Sequence, residues 1–298
     1  MDYSKIIHLA LNLGFGVFEN EPLYTRTSFK IGGPADLLIE CREISNLPVL
    51  LKEIKANEIP LTVMGNGSNL LVSDSGIKGV VLVIADDSVT VLGDTIKASA
   101  GVKLSKLCNV ALENGLSGLE FGFGIPGTVG GAVYMNAGAY GGEIKQVITS
   151  VTSITRSGEI VTRNVDELEL GYRTSVFKEN TDVILSAEFK LMQDEKETIR
   201  EKMYDFLSRR KDKQPLEFPS AGSTFKRPEG HFAGALIEQC GLKGFSIGGA
   251  EVSTKHAGFV INRGNATCND VKELIKHIQE TVFSKTGVML ETEVIYLG

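Results

Sequence analysis

Between Gly115 and Gly142 the chain places ten glycines in 28 positions, and from Phe121 to Gly142 it carries no charged side chain. Glycine loses more backbone freedom on folding than any other residue. A run this dense therefore needs a compensating contact, and main chain lying directly against a large flat or phosphorylated ligand supplies one. The alternative, a loose surface loop, fits poorly with Ile125, Val129, Val133 and Met135, which need burial. A charge-free window of this length also raises the question of a membrane span. Its glycines, Pro126 and Asn136 make a poor helix, and irregular backbone facing lipid would leave amides unpaired, so no span is expected. Nor does the start of the chain read as a signal peptide, with Asp2 at once acidic and the short apolar stretch broken by His8 and Asn12.

The remaining composition narrows the class. A chain of 298 residues suits two or three domains, and 42% hydrophobic with 23% charged residues argues against wholesale disorder. Lys+Arg 31 against Asp+Glu 37 leaves a net charge of -6, the wrong sign for a dedicated nucleic-acid binder. Cys41, Cys108, Cys240 and Cys268 form no C-x-x-C pair, and no His/carboxylate cluster has ligand spacing, so no metal is expected. Scattered thiols suit a reducing, cytoplasmic location.

Periodicity gives the coarse organisation. Asp36–Cys41 reads as a strand, and Leu47, Leu50, Leu51 and Ile54 recur at helical spacing up to Pro60. Leu61–Met64 and the apolar run Gly79–Ile84 follow as strands. Val89–Leu92 and Thr95–Ala98 flank a Gly93-Asp94 turn as a hairpin. Leu104, Leu107, Cys108 and Ala111 mark a helix with Gly115 at its C′ position. Strands are expected over 147–155, 160–162 and 183–192. Ile199, Met203, Phe206 and Leu207 predict a helix with one buried stripe, and Val271, Leu274, Ile275, Ile278 and Val282 a last helix. An alternating strand is expected from Val288 to Leu297, with Glu291 and Glu293 on one face. Between Leu207 and Pro228 six basic residues stand against Asp212 and Glu217, an island that is either a seat for an anion or a solvated helix end.

Several motifs can carry chemistry. Gly65-Asn66-Gly67-Ser68-Asn69, between two strands, can turn successive amides toward one anion. It is not the dinucleotide fingerprint, because Leu70 stands in the third glycine's place and no helix follows. Gly122-Phe123-Gly124-Ile125-Pro126-Gly127 matches that fingerprint by letter but lacks a clean preceding strand, and Pro126 removes an amide. Tyr172-Arg173 and Ser220–Arg227 are polar clusters inside folded pattern, and His256 is the kind of lone histidine that is more often structural than catalytic.

These motifs occur in one order together with Thr27–Gly33, Asn136–Gly141, Leu242–Gly244, Ile247–Ala250 and Leu290–Val294. As a set, from about residue 20 to the C-terminus, they resemble the UDP-N-acetylenolpyruvoylglucosamine reductases (UDP-N-acetylmuramate dehydrogenases), bacterial flavoenzymes of peptidoglycan precursor synthesis. The resemblance implies an α+β fold of the vanillyl-alcohol-oxidase type: FAD-binding subdomains over 1–85 and 86–193, and a UDP-sugar domain over 194–298 whose terminal strand returns to the active site. It places noncovalent FAD contacts at Gly65, Asn66, Gly67, Ser68 and Asn69, and at Gly124, Ile125, Pro126, Gly127, Gly130, Gly131, Asn136, Gly138, Ala139 and Tyr140. Arg173, Ser223 and Glu293 fall on the catalytic positions, and Tyr172, Lys213, Arg227 and Lys243 on or near substrate-binding ones. The short spacing from Arg173 to Ser223 marks the compact class without an inserted tyrosine loop, and Arg227 stands where some relatives carry asparagine.

The implied reaction reduces an enolpyruvyl double bond with NADPH as reductant. Hydride addition leaves an enolate beside a carboxylate, charge that a permanently protonated arginine such as Arg173 can hold. Ser223 can protonate the adjacent carbon, because an enolate carbon is a strong base. An ionised Glu293 would repel the enolate, so it is expected to be protonated or bridged to Arg173. Expected partners are the small-molecule UDP-sugar and NADPH, with no nucleic acid, membrane or obligatory protein partner. Two other readings stay open: a related FAD-dependent oxidase of a sugar alcohol or lactone, and a non-catalytic nucleotide sensor on the same scaffold.

Overall fold

The computed structural model describes residues 2–298. The chain divides into two compact units, one comprising 1–19, 37–66 and 79–209, the other 20–36, 67–78 and 210–298.

The first unit holds α1 (Ser4–Asn12), α2 (Leu47–Ala56), α3 (Leu104–Glu113), α4 (Val129–Tyr134), α5 (Phe177–Asn180) and most of α6 (Lys196–Lys213). α2 follows from its pattern: Leu47, Leu50, Leu51 and Ile54 are buried, with a proline in the first turn and Lys55 in the last. It leads into Leu61–Met64, which pairs in parallel with Ile77–Ile84, while Pro34–Cys41 and Gly16–Pro22 complete a four-stranded sheet. An antiparallel sheet runs Ile160–Asn164, Ile148–Ile154, Val183–Lys190, Thr95–Ser99, Val89–Leu92, so the predicted hairpin and the later strands all form. α3 buries Leu104, Leu107, Cys108 and Ala111 and stops where Gly115 turns left-handed at φ +64°. One continuous core, from Ile6 to Met203, fills this unit.

The second unit holds α7 (Ala233–Gln239) and α8 (Cys268–Thr286), an antiparallel sheet of Ser246–Ile247, Ala250–Val252 and Val260–Asn262, and the parallel pair Leu70–Val72 with Ile295–Leu297. α8 opens with a reciprocal cap, Thr267 accepting from the Asp270 N–H while Asp270 accepts from the Thr267 N–H. It ends at Gly287, φ +74°. The Asp74 carboxylate also accepts the Cys268 and Asn269 N–H groups at 2.8 and 3.2 Å, a fitting place for an anion. A separate core, Phe29 to Val294, fills this unit.

Three expectations need correction. The glycine run does form a helix: α4 is capped by the Thr128 hydroxyl, which accepts from the Gly131 N–H, and is pinned by buried Val129 and Val133, so packing overrides propensity. The stripe on α6 is narrower than its periodicity predicts, with Ile199 and Met203 buried and Phe206 stacked instead on Tyr140 at 4.9 Å. The terminal strand is regular only over Ile295–Leu297. Its approach changes partner: the Lys226 N–H donates to Glu291 O and the Glu293 N–H to Thr224 O, whereas Ile295 N–H donates to Asn69 O. A segment that switches neighbours cannot keep one strand register. Glu291 consequently sits exposed against Lys226 at 3.0 Å, and Glu293 is half-buried.

Candidate flavin-binding and active site

In the first unit, two loops that the motifs singled out come together. Asn66 Nδ2 donates to Pro126 O at 2.7 Å, so Pro126, which has no amide to offer, contributes its carbonyl. A Cβ on Gly65 would lie 2.8 Å from Thr128 Oγ1, so only glycine brings this backbone so near the α4 N-cap. The far side of that second loop is tied down: Leu104 N–H donates to Gly127 O, Val129 N–H to Val102 O and Gly130 N–H to Ala100 O. Gly130 is close-packed, its Cβ position only 2.9 Å from Ala100 Cβ. Gly65, Asn66 and Gly131 remain exposed. Bare main chain at the start of a helix, with neighbouring amide donors, fits a phosphorylated planar ligand.

At the other end of α4 the glycine-rich stretch carries Arg173. Asn136 is 1% exposed and has φ +41°. Its Nδ2 donates to Gly171 O at 2.9 Å and to Glu143 Oε2, and its Oδ1 accepts the Lys145 N–H. Through these bonds the Asn136 side chain anchors the 171–175 turn. Arg173 donates to Gly138 O through Nη1 and Nη2 at 3.4 and 3.3 Å and lies 5.5 Å from the Tyr172 ring. Ser175 Oγ donates to Tyr134 O, and Lys178 Nζ to Arg173 O at 2.6 Å. Tyr140, φ +54°, stacks on Phe206.

The second unit carries the other candidates. Gly67 is buried at φ +62°, where a Cβ would meet Arg26 O at 2.4 Å. Asn69 Nδ2 donates to Glu293 O at 3.0 Å. Residues 224–226 pair with 291–293, and Thr224 is held from its other side by Gly258 O and by Val260 N–H, which donates to its hydroxyl. Ser223, half-buried after the left-handed Gly222 (φ +77°), is thereby fixed next to the Glu293 segment.

Of the six cations of the basic island, Arg209 pairs with Asp205 and Lys226 with Glu291, and outside it Lys243 bonds Glu238 at 2.7 Å. Arg227 lies 4.0 Å from the Phe232 ring. Lys213 ends α6 and is exposed. His256 has its pKa lowered, first by burial and further by the charges of Lys243 and Lys213, with Glu238 opposing. Its Nδ1 accepts the Gly258 N–H, a local bond within the 256–258 turn. Burial pushes the Cys41 thiol up to about 12, so it is inert rather than nucleophilic. Thr128 and Lys178 are the residues motif reading undervalued. Thr is a favoured N-cap residue, so Thr128 ahead of Val129 is a recoverable cap signal, whereas nothing local marks Lys178. Among the described residues no helix is long and apolar enough to cross a membrane.

Comparison with known proteins agrees with this layout. Residues 35–164 match an FAD binding domain, and residues 214–297 match the C-terminal domain of UDP-N-acetylenolpyruvoylglucosamine reductase. A Clostridium tetani protein of that name is 49% identical over 295 residues, 98% of this chain and 96% of its own. One from Latilactobacillus sakei is 50% identical over 291 residues, 97% and 96% of the two chains. The crystal structure of the Thermus caldophilus UDP-N-acetylenolpyruvylglucosamine reductase superposes with a TM-score of 0.82 at 35% identity, covering 95% of this chain and 99% of that one. An alkyldihydroxyacetonephosphate synthase structure, 14% identical with a TM-score of 0.50, shares the fold over 65% of this chain and 41% of its own. The architecture is the α+β FAD-binding fold of the vanillyl-alcohol-oxidase type that the motifs implied, and FAD is its cofactor. With about half its residues identical across nearly the full length of such relatives, the chain belongs to the UDP-N-acetylenolpyruvoylglucosamine reductase family.

Proposed function

We propose that this FAD-dependent oxidoreductase reduces the enolpyruvyl double bond of UDP-N-acetylglucosamine enolpyruvate to UDP-N-acetylmuramate with NADPH as reductant. The observation that carries the reading is the placement of Arg173. Its turn is clamped to the glycine-rich segment whose other end forms the cradle with Gly65 and Asn66. Gly65 to Asn69 and the 124–140 stretch would hold FAD, which when bound supplies the hydride. Residues 1–85 and 86–193 serve the cofactor and 194–298 the UDP-sugar, in keeping with the family matches at 35–164 and 214–297.

The chain's own residues manage charge and proton. Arg173 stays protonated at any working pH, and its donors hold the second negative charge that hydride addition spreads from the alpha carbon onto the substrate's carboxylate oxygens. Ser223 donates its hydroxyl proton to the carbon bearing the ether oxygen, and takes one back from solvent afterwards. Glu293, carried on the segment that pairs with residues 224–226, must itself be protonated or bridged while the enolate exists. Tyr172, Lys213, Arg227 and Lys243 bind the sugar nucleotide, the cations at its diphosphate.

Anaerobic stopped-flow tests the proposal. Mixing with NADPH should bleach the yellow protein, and adding the enolpyruvyl sugar nucleotide should restore its absorbance without oxygen. Recovery only in air, with hydrogen peroxide released, would convert the reading to an oxidase. Absence of bleaching would leave the sensor reading.

A further inference from the structure

We infer that Lys178 is the positioning residue for Arg173. Gly171 and Thr174 exchange N–H···O bonds of 3.2 and 3.3 Å, which leaves Tyr172 and Arg173 as the central pair of a tight turn. Arg173 takes φ +57° there. A left-handed third position in such a turn belongs to glycine or asparagine, because a Cβ is crowded by its own backbone. A long cationic side chain in that place is a strained residue that its surroundings must hold.

The surroundings that do so are specific. Lys178 Nζ donates to the carbonyl of Arg173 itself at 2.6 Å, a short charge-assisted bond to the strained peptide. The same ammonium lies 5.7 Å from the Tyr134 ring. Ser175 Oγ donates to Tyr134 O at 2.8 Å, so both tethers end on the last residue of α4. Lys178 is rooted in α5, whose Phe177 is 2% exposed. The lysine therefore holds the orientation of the Arg173 peptide, and through it the direction in which the guanidinium leaves the turn. Without it the peptide can relax to the right-handed region and carry the guanidinium off by an ångström or more. A misplacement of that size at a reacting centre slows chemistry by up to roughly 100-fold.

The inference rests on the charge-holding role proposed for Arg173, and the test separates the two. Lys178→Met should retain FAD, keep its melting temperature within a few degrees, and be bleached by NADPH at the wild-type rate. Its reoxidation by the enolpyruvyl sugar nucleotide should slow roughly 10- to 100-fold, with kcat falling more than KM rises. Lys178→Arg, which keeps a charged donor, should recover most of that loss. In an Arg173→Ala background Lys178→Met should cost less than about twofold, since there is no guanidinium left to aim. Should the methionine variant lose its flavin, Lys178→Gln, a neutral donor, takes its place with the same expectations. Wild-type reoxidation in Lys178→Met, or an equal penalty with and without Arg173, overturns the inference. Wild-type reoxidation in Arg173→Ala overturns the role of Arg173, and the positioning of it along with that role. A crystal structure of Lys178→Met gives an independent readout: residue 173 should leave positive φ.

Discussion

Gly65→Ala probes the cradle where its geometry is tightest. The new methyl would sit 2.8 Å from Thr128 Oγ1, where ordinary contacts begin near 3.4 Å, a deficit of about 0.6 Å. Thr128 is 9% exposed and caps α4, so its hydroxyl cannot swing away without releasing the Gly131 N–H. Losing that cap costs about 1 kcal/mol. The alanine recovers about 0.4–1 kcal/mol by restricting the unfolded chain. Stability of the flavin-free protein should therefore change little. Affinity for FAD should fall, because either the Gly65-Asn66 loop lifts or the α4 N-terminus loosens. Disturbing one or two amide donors is worth roughly 1.4–2.8 kcal/mol, or 10- to 100-fold in Kd. The assay is fluorescence titration of deflavinated protein with FAD, alongside its melting temperature. Thr128→Ala supplies the control: it forfeits the cap but removes the obstructing oxygen, so adding Gly65→Ala to it should weaken FAD binding less than about twofold. Wild-type affinity in Gly65→Ala, or an undiminished loss in the Thr128→Ala background, would refute the steric argument.

Three further outcomes follow from other parts of the site. Ser223→Ala should leave bleaching by NADPH nearly intact and slow reoxidation by substrate about 10²- to 10⁴-fold; equal slowing of both half-reactions would make Ser223 structural. Arg227→Ala, which removes the cation stacked on Phe232, should raise KM for the sugar nucleotide more than it lowers kcat, and an unchanged KM with a fallen kcat would contradict the diphosphate assignment. His256 has a folded pKa below its ordinary 6.5 because burial disfavours the cation. The unfolded chain therefore takes up the proton first, and the stability this group contributes is complete above about 6.5 and lost as pH falls through that value. Urea midpoints at pH 7.5 and 5.5 should show a drop that is smaller in His256→Gln, which keeps an acceptor for the Gly258 N–H; an identical drop would remove His256 from the account.

How much of this was legible in the sequence depends on the range over which each feature is decided. α2, α3, α8 and the Val89–Ser99 hairpin are set by side chains within a few positions of one another, so periodicity and turn residues place them closely. α4 is six residues with two glycines, and only its Thr128 cap and the burial of Val129 and Val133 make it helical. The second unit is assembled from three stretches, joined by bonds such as Ser28 to Ser220, Asp74 to Cys268 and Asn262 to Phe29 across 192, 194 and 233 residues. No local pattern records such pairings, and the Glu293 segment, which changes partner between Thr224 and Asn69, looked like one strand for that reason. The site residues divide the same way. Their order along the chain identifies the set, because polar residues at glycine turns are conspicuous wherever they fall. The work of each depends on its distant neighbours. Asn136, which the resemblance places at the cofactor, also braces Gly171 through its side chain; Lys178 stands in none of the motifs and is found bonded to the Arg173 carbonyl. An arginine at φ +57° has no signature in its own sequence, since the strain becomes tolerable only once those two side chains, supplied from 37 and 5 residues away, close on the turn.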